Sequence, residues 1–224
     1  MRTPTGTTRR TPRPRALALL VILLAAAPIG AGAQELRLSA AHTQTSDPLW
    51  GNPTGWAMAV HMPASDRLAF VVGVSAFSSR QARVGIPCSG GPLPPGSCAP
   101  EQLKDLARLL DIRLGLASRV LKRDKWKLNV VADGHWVEGT SDTNAPASRR
   151  SLSASEGYWG PGVGLDFSWK PNPAGPLGFF ATGEAVWWIP RNGAAQTADG
   201  YEPFNETVRA PGFSLGASWA VRVF

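Results

Sequence analysis

From residue 35 onward, bulky apolar residues alternate with small or polar ones over long stretches, which is the two-residue period of β-strands. Around 108–121, Ile112, Leu114, Leu116 and Val120 alternate with Asp111, Arg113, Gly115, Ala117 and Arg119. Between 54 and 63, Trp56, Met58, Val60 and Met62 alternate with Gly55, Ala57, Ala59 and His61. Near the end, Phe213, Leu215, Trp219, Val221 and Val223 oppose Gly212, Ser214, Gly216, Ser218 and Arg222. The pattern predicts eight strands, at 35–43, 54–63, 67–80, 108–121, 126–139, 156–170, 178–190 and 207–224.

The connections between these strands alternate in length. Those at 64–66, 122–125 and 171–177 are short, whereas those at 44–53, 81–107, 140–155 and 191–206 are longer. In an up-and-down barrel every second connection lies on the same rim, so one rim carries short turns and the other long loops. A short helix is predicted inside the 81–107 connection, where Pro100 and Glu101 precede Gln102, Leu103, Lys104, Asp105 and Leu106.

Alternation alone does not say which face points outward; residue size does. The non-bulky face holds Gly, Ala and Ser with a few charges of both signs, which suits the narrow lumen of an eight-stranded barrel and would be pointless on a water-facing wall. Tryptophan spacing agrees. Trp126 and Trp136 lie ten residues apart in one predicted strand, Trp159 and Trp169 repeat that spacing in the next, and Phe179 and Trp187 are spaced similarly in the one after. Each pair shares a face. Ten residues in a strand tilted by about 40° rise about 25 Å, the height of a lipid-facing band between two aromatic girdles. The expected fold class is therefore all-β, an eight-stranded antiparallel up-and-down transmembrane β-barrel. A soluble, lipocalin-like periplasmic barrel with its apolar face inward is the competing arrangement.

The first residues change the charge picture. Arg2, Arg9, Arg10, Arg13 and Arg15 precede an apolar run at 16–27 and a small-residue stretch ending at Ala33. A basic start, a short apolar core and an A-x-A ending predict a signal peptide at 1–33, cleaved after Ala33, and a single barrel domain at 34–224. The chain has 23 basic and 16 acidic residues; removing those five arginines leaves 18 and 16, a net charge of +2 instead of +7. The high charge thus belongs to the leader and gives no case for nucleic acid. The two cysteines, Cys88 and Cys98, lie in one segment of an exported chain, so a local disulfide is expected, worth about 2–3 kcal/mol by loop closure. A redox or metal role for the pair finds no nearby histidine or second cysteine pair.

The parity of the strands places Glu35, Arg37, Asp111, Arg113, Arg119, Lys127, Asp133, His135, Asp166, Lys170, Glu184 and Arg222 in the lumen. Charges in so narrow a space must pair or bind water, so a salt-bridge network filling the barrel is expected. A proton or ion path is the functional alternative. Asp133 and His135, two apart on one face, are the only pair resembling part of an Asp-His-Ser relay; Ser168 and Ser214 qualify as its nucleophile by residue type alone, and no G-x-S-x-G is present. His42 and His61, near strand ends, are expected at the surface or girdle, and no metal-ligand spacing stands out. The glycines at 160, 162 and 164 lack a phosphate-binding lysine and a following helix, so close packing inside the barrel accounts for them better than nucleotide binding.

In signal peptide, strand number, loop alternation and terminal strand, the chain resembles the small outer-membrane barrel families grouped with OmpX and the transmembrane domain of OmpA. The resemblance spans 34–224 and is architectural. Such families end in an aromatic residue read by the barrel-insertion machinery, and Phe224 fits that terminal signal. Trp219, Val221 and Val223 are out of phase with Phe224, and Arg222 takes an apolar place of that pattern. Either a bulge restores the phase or recognition tolerates the shift. The resemblance implies a cofactor-free, non-enzymatic monomer in the bacterial outer membrane whose partners are lipid and, during assembly, the insertion machinery. Its implied roles are structural or loop-mediated, with a lipid A-modifying enzyme and a narrow solute channel as alternatives.

Overall fold

The computed structural model describes residues 34–47, 50–85, 101–145, 150–191, 195–197, 200–202 and 207–221. The expected leader at 1–33, Cys88, Cys98, Arg222 and Phe224 lie outside the described residues.

Among the described residues, eleven strands occur in chain order: β1 (Gln34–Thr43), β2 (Thr54–Pro63), β3 (Leu68–Gly85), β4 (Glu101–Lys122), β5 (Trp126–Ala145), β6 (Arg150–Trp169), β7 (Leu177–Pro190), β8 (Ala195–Thr197), β9 (Gly200–Glu202), β10 (Val208–Arg209) and β11 (Gly212–Val221). Consecutive strands from β1 to β7 pair antiparallel; β11 pairs with β7 on one side and β1 on the other, closing the ring. β10 continues β11 along β7 in the same register, so the two form one stave and the barrel has eight. The break falls at Pro211, which has no N–H to give the ladder, while Ala210 still donates to the Val186 carbonyl at 2.9 Å. β8 and β9 form a separate hairpin.

The short turns and both ends of the ring share the inner rim. Local polar groups close these turns: Ser65 Oγ accepts from the Arg67 and Leu68 amides at 3.3 and 3.1 Å, and Asn172 Oδ1 accepts from Ala174 at 3.1 Å. β4 carries a bulge between Arg119 and Leu121 near this rim.

The outer rim departs from expectation. The predicted helix near Pro100 is strand: Glu101 to Ala107 pair with Gly85 to Ser79. β5 and β6 likewise run on to Ala145 and back from Arg150, replacing most of the loop expected at 140–155. The reason is again alternation. In this upper part of β4, Leu103, Asp105, Ala107 and Leu109 are buried, while Gln102, Lys104 and Arg108 are exposed. A two-residue period outweighs the helix-start signal of proline and acid.

Around the barrel wall the bulky residues point out. Leu38, Trp56, Phe70, Leu114, Leu116, Val163, Leu165, Phe167, Phe213, Leu215 and Trp219 are all exposed, whereas Arg37, Asp111, Asp133, His135 and Asp166 are buried inside. Trp136 pairs directly with Trp159, and Trp126 with Trp169, which in turn pairs with Phe179. Aromatic rings thus stand at two heights, and Trp169 and Phe179 stack at 5.8 Å. Above Trp136 the outward residues of β5 change to Glu138, Thr140, Asp142 and Asn144. Trp136 donates its indole N–H to Glu138 at 3.2 Å, and the Arg191 guanidinium lies 3.7 Å from its ring centroid. An indole with an apolar body below and polar partners above suits a boundary between hydrocarbon and water.

Candidate functional site in the barrel lumen

The lumen is filled by three stacked layers. Nearest the inner rim, Arg37 on β1 reaches across to β6: its guanidinium lies 2.7 Å from Asp166 Oδ1, 3.0 Å from Ser168 Oγ and 3.1 Å from Glu35 Oε1. It also sits over the Phe180 ring at 4.7 Å. Lys127 Nζ donates to the other Glu35 oxygen at 2.7 Å, and Asn129 Nδ2 to Asp166 Oδ2 at 2.6 Å. Two cations and two anions balance here. His61, expected at the surface, is buried inside; its parity with Ala57 and Ala59 on β2 sends it inward. His42, of the opposite parity to Arg37, is exposed as expected.

The middle layer is built on His135. Its Nδ1 lies 2.9 Å from Asp111 Oδ2; its Nε2 lies 2.6 Å from Glu184 Oε1 and 3.1 Å from Asp133 Oδ1. Arg113 meets the second Glu184 oxygen at 3.3 Å. β4, β5 and β7 supply these side chains, and β6, between β5 and β7, supplies Gly162 instead of a side chain. A Cβ there would collide with Asp133 Oδ1 and stand 2.7 Å from His135 Nε2 and 2.9 Å from Glu184 Oε1. Only a residue without a side chain leaves those three atoms room to converge. We therefore expect Gly162→Ala to push them apart and destabilise the barrel by about 1–3 kcal/mol, as measured by urea unfolding in detergent.

The outermost layer runs against the expected pattern. Trp50, Phe77, Leu109, Val137, Tyr158, Val186, Trp188 and Val208 form one apolar cluster that plugs this end of the barrel. Gly51, at a φ of 61°, turns the first long connection so that Trp50 enters fully buried. Trp50 donates to the Tyr158 hydroxyl at 2.9 Å, its carbonyl accepts from Ser79 Oγ at 2.7 Å, and Tyr158 in turn donates to Glu156. The rule that bulky aromatics point outward thus holds along the belt and reverses above it. Trp188, adjacent to outward Trp187 and so of opposite parity, carried that signal in the sequence.

Of the charges expected in the lumen, Glu35, Arg37, Lys127 and Asp166 meet in one network, and Asp111, Arg113, Asp133, His135 and Glu184 in another. Arg119 and Lys170 are half-buried near the inner rim, with no side-chain ion pair among the described residues. The relay idea finds no support in the geometry. Ser168 is bonded to Arg37, and Ser214, though it lines the same small cavity as His135, makes no hydrogen bond to it. Of the expected girdle, Trp136, Trp159, Trp169, Phe179 and Trp187 are exposed on the outer wall; Trp126 is half-buried against Phe167 at 6.1 Å.

A closed ring of eight antiparallel staves, bulky outside and polar within, is the fold of the small outer-membrane β-barrels. No protein-family model matches the chain, and no curated protein is similar to it in sequence. Solved structures are similar to it in fold. A major outer-membrane protein of Thermus thermophilus superposes with a TM-score of 0.58 at 12% identity, covering 85% of this chain and 100% of its own. The outer-membrane protein OprG of Pseudomonas aeruginosa gives 0.54 at 8%, covering 87% and 98%. Ail, the attachment invasion locus protein of Yersinia pestis, gives 0.53 at 12%, covering 85% and 99%. At such identities the likeness is one of fold.

Proposed function

We propose that the chain is an integral protein of the bacterial outer membrane, a monomer with a closed lumen and a structural or surface-interaction role without catalysis. One observation carries this reading: the exposed apolar belt between two tiers of aromatic residues, with the ionic side chains inside. In water such a wall would be an apolar patch far beyond what soluble monomers expose. In lipid it is the required surface. The belt fits acyl chains as the partner, and insertion machinery is the expected partner during assembly. The outer parts of β4 and β5 stand above the belt with Gln102, Lys104, Arg108, Glu138, Thr140 and Asn144 exposed, and they are the surface offered for loop-mediated contacts. Two of the lumen layers argue against a solute channel: Arg37 bonds across the barrel from β1 to β6, and the apolar cluster around Trp50 plugs the outer end with packed side chains.

Two measurements test the reading. Expressed protein should fractionate with membranes, need detergent for extraction and migrate differently on gels before and after heating. Inserted into a planar bilayer, it should show no stepwise conductance. Extraction into plain buffer would remove the membrane assignment, and reproducible single-channel steps would remove the closed lumen.

A further inference from the structure

The middle layer of the lumen has a charge imbalance that the layer below does not. Asp111, Asp133 and Glu184 bring three carboxylates together against one guanidinium, Arg113, with a histidine at the centre. Three potential donor atoms, one each from Asp133, His135 and Glu184, all lie within 4.8 Å of one another. The Asp133 side chain is fully buried, yet its Oδ2 has no hydrogen-bond partner among the described residues, and Glu184 Oε1 lies 2.6 Å from His135 Nε2. Buried carboxylate oxygens without a donor are costly and are normally satisfied by something.

We infer that Asp133 Oδ1, His135 Nε2 and Glu184 Oε1 form a binding site for one divalent first-row metal ion of the zinc class. The arrangement has the parts such a site needs. One imidazole and two carboxylates are a donor set suited to a borderline cation. Asp111 holds the other ring nitrogen of His135 at 2.9 Å, so a neutral imidazole donates Nδ1–H to the carboxylate and turns Nε2 toward the metal. Gly162 leaves open the space onto which the three donor atoms converge. The adjoining cavity of about 40 Å³, lined in part by Asp111, Arg113, His135 and Glu184, has room for a water as a further ligand. The charges close as well: three carboxylates are balanced by Arg113 and a divalent cation with His135 neutral, whereas an imidazolium in place of the metal leaves one negative charge over. The ion would tie β5 to β7 across the glycine of β6 and lock the lumen. The inference concerns the lumen alone and does not depend on which membrane holds the barrel.

The test uses the full barrel, folded in detergent, stripped with a chelator and re-equilibrated with Zn²⁺. Elemental analysis should find about one zinc per chain, and Asp111→Asn, which weakens the orienting contact and removes one of the three negative charges without touching a ligand atom, should weaken binding by about 10–100-fold. Glu184→Gln and His135→Ala should abolish it, while His42→Ala, altering an exposed histidine, should leave it intact. Folding of each variant is checked by heat-dependent gel migration. Should the lumen variants fail to fold, Co²⁺ added to the unaltered protein decides, through d–d absorption of four- or five-coordinate strength. A folded wild-type barrel that retains no zinc would overturn the inference. So would zinc binding unaffected by Glu184→Gln, or cobalt spectra with only the weak bands of the hydrated ion.

Discussion

Arg37→Met should destabilise the barrel by about 3–5 kcal/mol, measured by urea unfolding of the folded protein in detergent or lipid vesicles. Arg37 is 2% exposed and its partner Asp166 only 1%. They belong to β1 and β6, which are not neighbours in the ring, so their 2.7 Å contact crosses the lumen. Methionine fills much of the same volume but leaves Asp166 with Asn129 as its remaining side-chain partner, and deprives Glu35 of one of its two cations. The cost arises from an uncompensated buried carboxylate more than from the lost attraction. Consequently the double change Arg37→Met with Asp166→Leu should recover a large part of the loss. A double variant as unstable as the single one would show that packing of the Arg37 guanidinium over Phe180 matters more than its charge pairing.

Leu165→Arg should cost about 2–4 kcal/mol in a bilayer, and its sign is what separates a membrane wall from a wet one. Leu165 is 55% exposed and lies between Trp159 and Trp169 on β6, near the middle of the belt. An arginine there must either take its charge into hydrocarbon or draw water and headgroups toward it. The same change at Ser153, exposed above the upper aromatic tier, should be nearly neutral, because charge costs fade toward the interface. In a soluble barrel Leu165→Arg would remove an exposed apolar residue and cost nothing. Unfolding of the two variants in vesicles of identical lipid makes the comparison.

The sequence was most readable where lipid contrast is strongest. Between the aromatic tiers one face is bulky and the other small, so the inner-rim turns and the strand ends at 54, 63, 126 and 190 coincide with expectation. The outer half was harder to read because the contrast inverts there. Above Trp136 most outward residues of β4 and β5 are polar and most inward ones apolar or small, so Leu103, Ala107, Leu109 and Val137 oppose Lys104, Arg108 and Glu138 with the phase of a wet surface. A reading that looks for outward apolar residues loses the strand at that point and finds a loop or a helix instead. Which charges lie inside was legible from parity; how they divide was not. That Arg37 reaches Asp166 across the ring, or that His135 gathers carboxylates from β4, β5 and β7, follows from closure and register, which no single strand encodes. Trp50 was hidden for another reason: nothing local says that a loop tryptophan folds back into the barrel mouth.

Tryptophan emission in vesicles offers the most direct measurement of the central claim. The chain has nine tryptophans, of which Trp50 and Trp188 are buried inside, while Trp56, Trp136, Trp159, Trp169, Trp187 and Trp219 are exposed on the outer wall. Reconstituted in phosphatidylcholine with brominated acyl chains, the protein should lose the greater part of its emission relative to unbrominated lipid. The remainder should come from the two enclosed indoles. Emission unchanged by bromine on the acyl chains would contradict an outer wall that meets lipid.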